Sequence, residues 1–180
     1  STRDSQAWLF GGNVNLPSDV NFTWAKEVGD NFHARFSAYA RSYEYKIHNH
    51  SVRSSLKANY NLWEPRALNI KKMRKATDFL IGEHDFSAFR GKLCQAKSPI
   101  KIVESIEIIK TDDTILIKIK ANAFLRHMVR NVVGTLLKIG RGEKEINWML
   151  SVLQSKDRKQ AGPTAEPQGL YFVKAYYHDL

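Results

Sequence analysis

Arg126, His127 and Arg130 crowd the start of the amphipathic second half of a stretch, residues 115–140, that reads ILIKIKANAFLRHMVRNVVGTLLKIG. If that start is helical, Arg126 and Arg130 lie one turn apart. A like-charged pair at that spacing costs roughly 0.2–0.5 kcal/mol, and the field of a helix N-terminus disfavours cations. A buried carboxylate or an RNA phosphate would offset both terms. Two solvated arginines on a basic protein are the plain alternative. Tyr43 and Tyr45 alternate along a second stretch and so share a strand face. They suit either a core with partnered hydroxyls or a platform on which a nucleobase stacks. Arg35, Arg41 and Arg130 would surround such a platform with positive charge. The carboxylates are less suggestive: Asp30 reads as turn, Asp85 as bend or cap, Asp157 as surface. The six histidines lack ligand spacing, no GxSxG elbow occurs, and Gly140-Arg141-Gly142 is only a turn.

The elements that must position these residues follow from periodicity. Ile115, Ile117 and Ile119 share one face of a strand, with Lys118 and Lys120 opposite. Asn122 then reads as a helix cap. Leu125, Met128 or Val129, Val132, Leu136 and Ile139 form one apolar stripe, and Gly140 reads as the left-handed stop. Residues 101–110 pair with 115–120 as a hairpin across two aspartates. Further strands are expected at 20–28, 40–48 and 169–177. Helices are expected at 69–80, capped by Asn69 with Met73, Ala76 and Leu80 inward, and at 144–154. Residues 5–10 end a helix or form a loop, terminated by Gly11 and Gly12. Residues 51–65 read as loop, and 84–89 as a bend whose two aromatics plug the core. Hairpins mixed with helices give an α+β fold, a largely antiparallel sheet with helices packed on one face.

A chain of 180 residues can bury a substantial core. The 28 Lys and Arg against 18 Asp and Glu leave a net charge of +10, which suits a polyanionic partner. Cys94 is the single cysteine, so a disulfide framework and a multi-cysteine zinc site are excluded. No apolar run approaches 18 residues, so no membrane partner is expected. A reducing, cytoplasmic setting fits.

Several ordered blocks carry a specific resemblance: NVNLPSDV, FHARFSAYARSYEYKI, GEHDFSAFRG, IKANAFLRHMVRNVVGTLLKIGRG and DRKQAGPTAEPQGLYFV. Together they resemble the C-terminal two-thirds of bacterial tRNA pseudouridine synthases of the A type, nearly end to end. The resemblance implies isomerisation of uridine to pseudouridine at positions 38, 39 and 40 of the tRNA anticodon arm, with no cofactor and no metal. It implies that Tyr45 lies against the target base and that Arg130 pairs with the catalytic aspartate. Leu170 would form an apolar wall of the uracil pocket. Arg35, Arg41 and Arg158 fall in blocks near the RNA-facing cleft, and Tyr43 neighbours Tyr45 there. Arg126 stands where relatives often carry histidine.

One feature of the family pattern is missing. The nucleophile is the aspartate of a Gly-Arg-Thr-Asp-Ala-Gly block, and residues 1–180 contain none. Asp4 follows Thr2 and Arg3 but lacks the preceding glycine and the following Ala-Gly. The expectation is therefore a fragment, inactive alone. Residues 1–50 would hold a linker and central strands near an inter-domain cleft. Residues 51–180 would form the C-terminal α+β catalytic domain, the N-terminal domain being absent. Its loss should leave sheet edge and apolar surface that favour self-association; the intact enzyme of this type is a homodimer. A non-catalytic RNA-binding module, and a pseudouridine synthase for a different RNA position, are the alternative readings.

Overall fold

The computed structural model describes residues 4–178. Thr2 and Arg3, part of the comparison with the nucleophile block, lie outside them, as do Asp179 and Leu180. The chain divides into two compact units, one up to Ser37 and one from Ala38.

The first unit carries α1 (Ser5–Asn15). Asp4 caps it by accepting the Ala7 N–H at 2.7 Å. Gly11 and Gly12 sit inside this helix and do not terminate it. The turn after it is held by Asn13, whose side chain bonds both the N–H and the carbonyl of Phe22, at 2.7 and 3.0 Å. The strand expected at 20–28 does not form; the segment is irregular. Alternation alone does not make a strand without a ladder partner.

The second unit is built on a six-stranded sheet: β1 (Ala40–Asn49), β2 (Leu62–Glu64), β3 (Gly82–Asp85), β4 (Ile100–Thr111), β5 (Thr114–Ala121) and β6 (Leu170–Tyr176). The order is β2-β1-β5-β4-β3, with β6 also paired to β1. Every pairing is antiparallel except β1 with β2. β5 lines one edge of β1 along residues 41–48. The other edge is shared, β6 taking 40–45 and β2 taking 47–49. β1 is thus an interior strand, paired along both edges. The hairpin of β4 and β5 turns through Asp112 and Asp113 as expected, Asp112 adopting a left-handed φ of 48°.

Three helices, α2 (Ile70–Thr77), α3 (Met128–Gly140) and α4 (Trp148–Ser155), pack against the sheet. Tyr45 and Ile47 of β1 and Ile115, Ile117 and Ile119 of β5 meet Met73, Ala76, Leu136, Ile139 and Met149 in one core. Each such aliphatic side chain contributes on the order of 1.5–3 kcal/mol by leaving water. Asn69 caps α2 as expected, accepting the Lys72 N–H at 3.0 Å. Phe86 and Phe89 are fully buried, as expected of the aromatics in 84–89.

Several local expectations are corrected. Residues 51–65 are not all loop, since β2 lies within them; three residues are too few to show a period. His84 and Asp85 belong to β3, not to a bend. Asn122 does not cap a helix. Its Oδ1 accepts the Ile102 N–H at 3.0 Å, and α3 begins six residues later behind His127, a left-handed residue with φ 61°. Arg126 and His127 therefore precede the helix, and the one-turn repulsion with Arg130 does not arise. Gly140 is not the left-handed stop: it ends α3 in helical form, and Gly142 takes the positive φ of 75°. What Gly140 supplies is clearance, because a Cβ there would stand 2.6 Å from Met73 Sδ.

The far end of α3 is tied to the sheet by a buried ion network. Glu64, at the end of β2, is 1% exposed. It accepts from Arg141 Nε at 2.9 Å and Arg66 Nε at 3.1 Å, and Arg141 Nη2 completes a fork on the same carboxylate. The two arginines hold the carboxyl below its ordinary range, against the opposing effect of burial. Glu64→Gln should lower the unfolding free energy by about 2 kcal/mol at neutral pH, since it removes charge-assisted bonds to Arg141 and Arg66. The depressed pKa gives stability that is present above the unfolded value of about 4.3 and is lost as pH falls through the folded value. Urea unfolding at neutral and strongly acidic pH checks this: the gap between wild type and variant should close in acid.

Candidate active site

The N-terminal end of α3 faces the middle of β1. Eleven of the thirteen residues of α3 are buried; the other two are Arg130 and Lys138. The helix is covered on two sides, by the sheet and by the segment that follows α4. Arg130 thus stands at one of the few positions where α3 presents a polar group.

Beside it lies a cavity of about 360 Å³, whose lining includes Tyr43, Phe124, Arg126, His127, Arg130 and Leu170. The sheet register explains the convergence. Tyr43 and Tyr45 share a face of β1, and Leu170 is the direct β6 partner of Tyr45. Tyr43 is half-buried in the cavity wall, packed edge-on against Phe124 and Phe172 with ring centroids 5.0 and 5.4 Å away. Tyr45 lies deeper and is fully buried. Its hydroxyl donates to the Glu166 carbonyl at 2.6 Å. Arg130 Nε donates to the Ala165 carbonyl at 2.7 Å, and the Ala165 N–H returns a bond to the Arg130 carbonyl at 3.1 Å. Among the described residues only Nε of this guanidinium is hydrogen-bonded and no carboxylate pairs with it. Among the described residues, no Asp or Glu lines the cavity.

Burial pushes the Tyr45 hydroxyl well above the ordinary tyrosine pKa; the Arg130 guanidinium lowers it in part. Tyr43 is raised by burial too, with Arg41 opposing. His127 is pushed down by burial and then by Arg130, Arg126 and Arg158, so its ring is neutral at neutral pH. The cavity therefore offers the neutral Tyr43 phenol, a neutral imidazole and two guanidinium groups around an apolar wall, with the neutral Tyr45 phenol beneath it. That set suits a flat, uncharged heterocycle attached to an anionic backbone.

The sequence-derived candidates divide. Tyr43, Arg126, Arg130 and Leu170 meet in one cavity, with Tyr45 packed beside Leu170 and within electrostatic reach of Arg130. Arg126 is exposed, and its backbone N–H bonds Cys94 Sγ at 3.3 Å. Arg41 Nη1 bonds the carbonyls of Ala38 and Asn122, both at 2.8 Å, fixing the start of β1 to the β5–α3 connection. Arg158 bonds Gly162, Asn131 and Thr164. Arg35 belongs to the first unit, its guanidinium carbon 5.6 Å from the Phe36 ring centroid. Phe124, Pro167 and the carbonyls of Ala165 and Glu166 were not legible as site groups. Backbone acceptors leave no side-chain signature, and nothing in their spacing marks Phe124 or Pro167. Among the described residues, no three His, Cys, Asp or Glu side chains gather as a metal site, and no helix is long and apolar enough to cross a membrane.

A mostly antiparallel sheet, helices on one face and this cavity beside β1 define an α+β domain of the pseudouridine synthase kind. Residues 76–178 match the family model for tRNA pseudouridine synthase. The chain is 46% identical over 175 residues to tRNA pseudouridine synthase A of Coxiella burnetii (strain Dugway 5J108-111), covering 97% of this chain and 67% of that one. It is 47% identical over 177 residues to the protein of that name from Hydrogenovibrio crunogenus, covering 98% and 68%. With the Nitrosococcus oceani protein of the same name the identity is 49% over 172 residues, covering 96% and 66%. The chain belongs to the tRNA pseudouridine synthase family, a family of isomerases. It spans about two-thirds of the length of these relatives.

Proposed function

We propose that these residues form the base-binding side of an active site that isomerises uridine to pseudouridine at positions 38, 39 and 40 of the tRNA anticodon arm. The observation that carries this is the meeting of Tyr43, Arg126, Arg130 and Leu170 in one cavity beside buried Tyr45. The target base leaves the stack to enter it. The C1′–N1 bond breaks, uracil turns within the cavity, and C1′ bonds to C5. C5 loses its proton and N1 gains one, so the reaction balances without a cofactor or a metal. Leu170 and the Tyr43 ring hold the uracil as it turns, with Tyr45 packed beneath them. Arg130 pairs with the nucleophilic carboxylate, which comes from the part of the relatives' length that these 180 residues do not span. Arg126 binds backbone phosphate. Arg35 meets RNA elsewhere along the anticodon arm. Arg41 and Arg158 act near the cleft chiefly by shaping it, given the protein carbonyls and side chains they bond. The complete enzyme is a cytoplasmic homodimer, and the 180 residues alone bind tRNA without turning it over.

Tyr45 is read as an orienting donor. A base would have to be a tyrosinate, and burial works against that form at neutral pH. Tyr45→Phe should therefore lower turnover by only about 5–10-fold, the worth of one hydrogen bond, and not by the ~10²–10⁴-fold expected on losing a general base. Release of tritium from C5 of labelled tRNA measures this. It requires the remaining third of a relative such as that of Hydrogenovibrio crunogenus in the same polypeptide. A flat acid-to-neutral pH profile for the variant would agree with the orienting role. A loss beyond 10³-fold would contradict it.

A further inference from the structure

The segment after α4 runs back across the face of α3 that the sheet leaves uncovered, and it delivers two consecutive carbonyls to the site. Ala165 O takes the Nε–H of Arg130, and Glu166 O takes the hydroxyl of Tyr45. These side chains come from elements remote in sequence, yet two adjacent peptide units receive them. What fixes those peptides lies just outside the cavity. Asn131, the residue after Arg130, is fully buried. Its Oδ1 accepts from Thr164 Oγ1 at 2.7 Å and from Arg158 Nη2 at 3.0 Å, while its Nδ2 donates to the Phe89 carbonyl at 2.7 Å. Those three partners set the orientation of the amide uniquely. Arg158 Nη2 also reaches Thr164 Oγ1 at 3.0 Å, and Nη1 reaches the Gly162 carbonyl at 2.9 Å. One turn on, Thr135 Oγ1 accepts the Gly162 N–H at 3.0 Å. The contacts run in step: Asn131 to Thr164, then Arg130 to Ala165, then Tyr45 to Glu166.

We propose that Thr164, held by Asn131 and Arg158, is a positioning residue that sets the Ala165–Glu166 carbonyls and through them the Arg130 guanidinium and the Tyr45 hydroxyl. This rests on the roles given above to Arg130 and Tyr45. Thr164 acts through its hydroxyl and touches no substrate. Thr164 is exposed as a residue, so loss of its hydroxyl removes a link without opening the core. Arg158, read from the sequence as an RNA contact, becomes the brace of this link.

The test is Thr164→Val with Thr164→Ser as its control, and the first readout is nuclear magnetic resonance on the ¹⁵N-labelled chain. The Arg130 Nε–H, bonded to Ala165, should exchange with solvent slowly. Thr164→Val should speed that exchange by about tenfold, the equivalent of one hydrogen bond lost from the link. Thr164→Ser should restore it. Arg158→Lys, which keeps the charge but loses the fork, should behave like Thr164→Val. In the complete enzyme Thr164→Val should lower kcat and leave KM for tRNA unchanged. Unaltered Arg130 exchange in both Thr164→Val and Arg158→Lys would overturn the proposal, as would failure of Thr164→Ser to restore it. The exchange readout needs no turnover. If it responds while Arg130→Ala retains activity, the link stands and the catalytic reading falls.

Discussion

Arg130→Ala in the complete enzyme should reduce turnover by at least 10²–10³-fold while the protein stays folded. The guanidinium is partly buried at the polar opening of α3, with Nε committed to Ala165 O. If it also meets the nucleophilic carboxylate, its removal leaves that carboxylate unpaired in a largely desolvated site, which costs about 3–5 kcal/mol. The loss of the Ala165 bond alone costs about 1–1.5 kcal/mol of stability, too little to unfold the domain. Arg130→Lys separates charge from geometry. A lysine keeps the positive charge but cannot hold Ala165 and a carboxylate with one planar fork. It should recover no more than about a tenth of the lost activity. A non-catalytic RNA-binding module would respond differently: one phosphate contact fewer weakens binding slightly and reduces its salt dependence. Tritium release and filter binding on the same two variants distinguish these outcomes.

Gly134→Ala should be the most destabilising small substitution in α3. Helix propensity predicts the opposite sign, since alanine inside a helix gains about 0.8–1 kcal/mol over glycine. Here a Cβ on Gly134 would stand 1.7 Å from the Pro163 carbonyl oxygen and 3.4 Å from the Ala165 nitrogen. The obstacle is backbone, not a side chain that can rotate away. Gly162 on the facing segment is also too close for a side chain, its Cβ position lying 2.5 Å from the Gly134 carbonyl. The two chains touch backbone to backbone, so relief requires moving residues 162–165 off the helix. That displacement would break the Thr135–Gly162, Asn131–Thr164 and Arg130–Ala165 bonds together. Overpacking alone costs about 1–3 kcal/mol, and the lost bonds add about 1 kcal/mol each. Urea denaturation should show a net loss of about 3 kcal/mol or more. An unchanged or raised midpoint would mean that the 162–165 segment does not pack here.

The sheet was readable where its pattern is period-two and one-sided. Ile115, Ile117 and Ile119 give the inward face of β5, and the twin aspartates give its turn. Tyr43 and Tyr45 were read correctly as sharing a face, but burial separates them: one lines the cavity and the other lies beneath. β2 was hidden because three residues carry no period and its parallel pairing needs no local turn. The start of α3 was misplaced because Asn122 is a good cap by type; tertiary pairing with Ile102 claims its side chain instead. The single apolar stripe on α3 was an incomplete account. Asn131, Gly134 and Thr135 lie outside that stripe, yet all three are buried. They are small or hydrogen-bonding because another backbone lies on them. That contact joins residues about thirty apart in sequence, and only resemblance to known proteins or a structure brings it into view. The same holds for the grouping of Arg130 with Leu170.

The measurement that bears most directly on the account is the mapping of pseudouridine in a tRNA transcript exposed to two proteins. One is the 180-residue chain; the other is the same chain completed with the remaining third of a relative. The completed polypeptide should place pseudouridine at 38, 39 or 40 and nowhere else, and the 180 residues alone should bind the transcript but leave it unmodified. Pseudouridine made by the 180 residues alone, or none made by a folded, completed polypeptide, would contradict it.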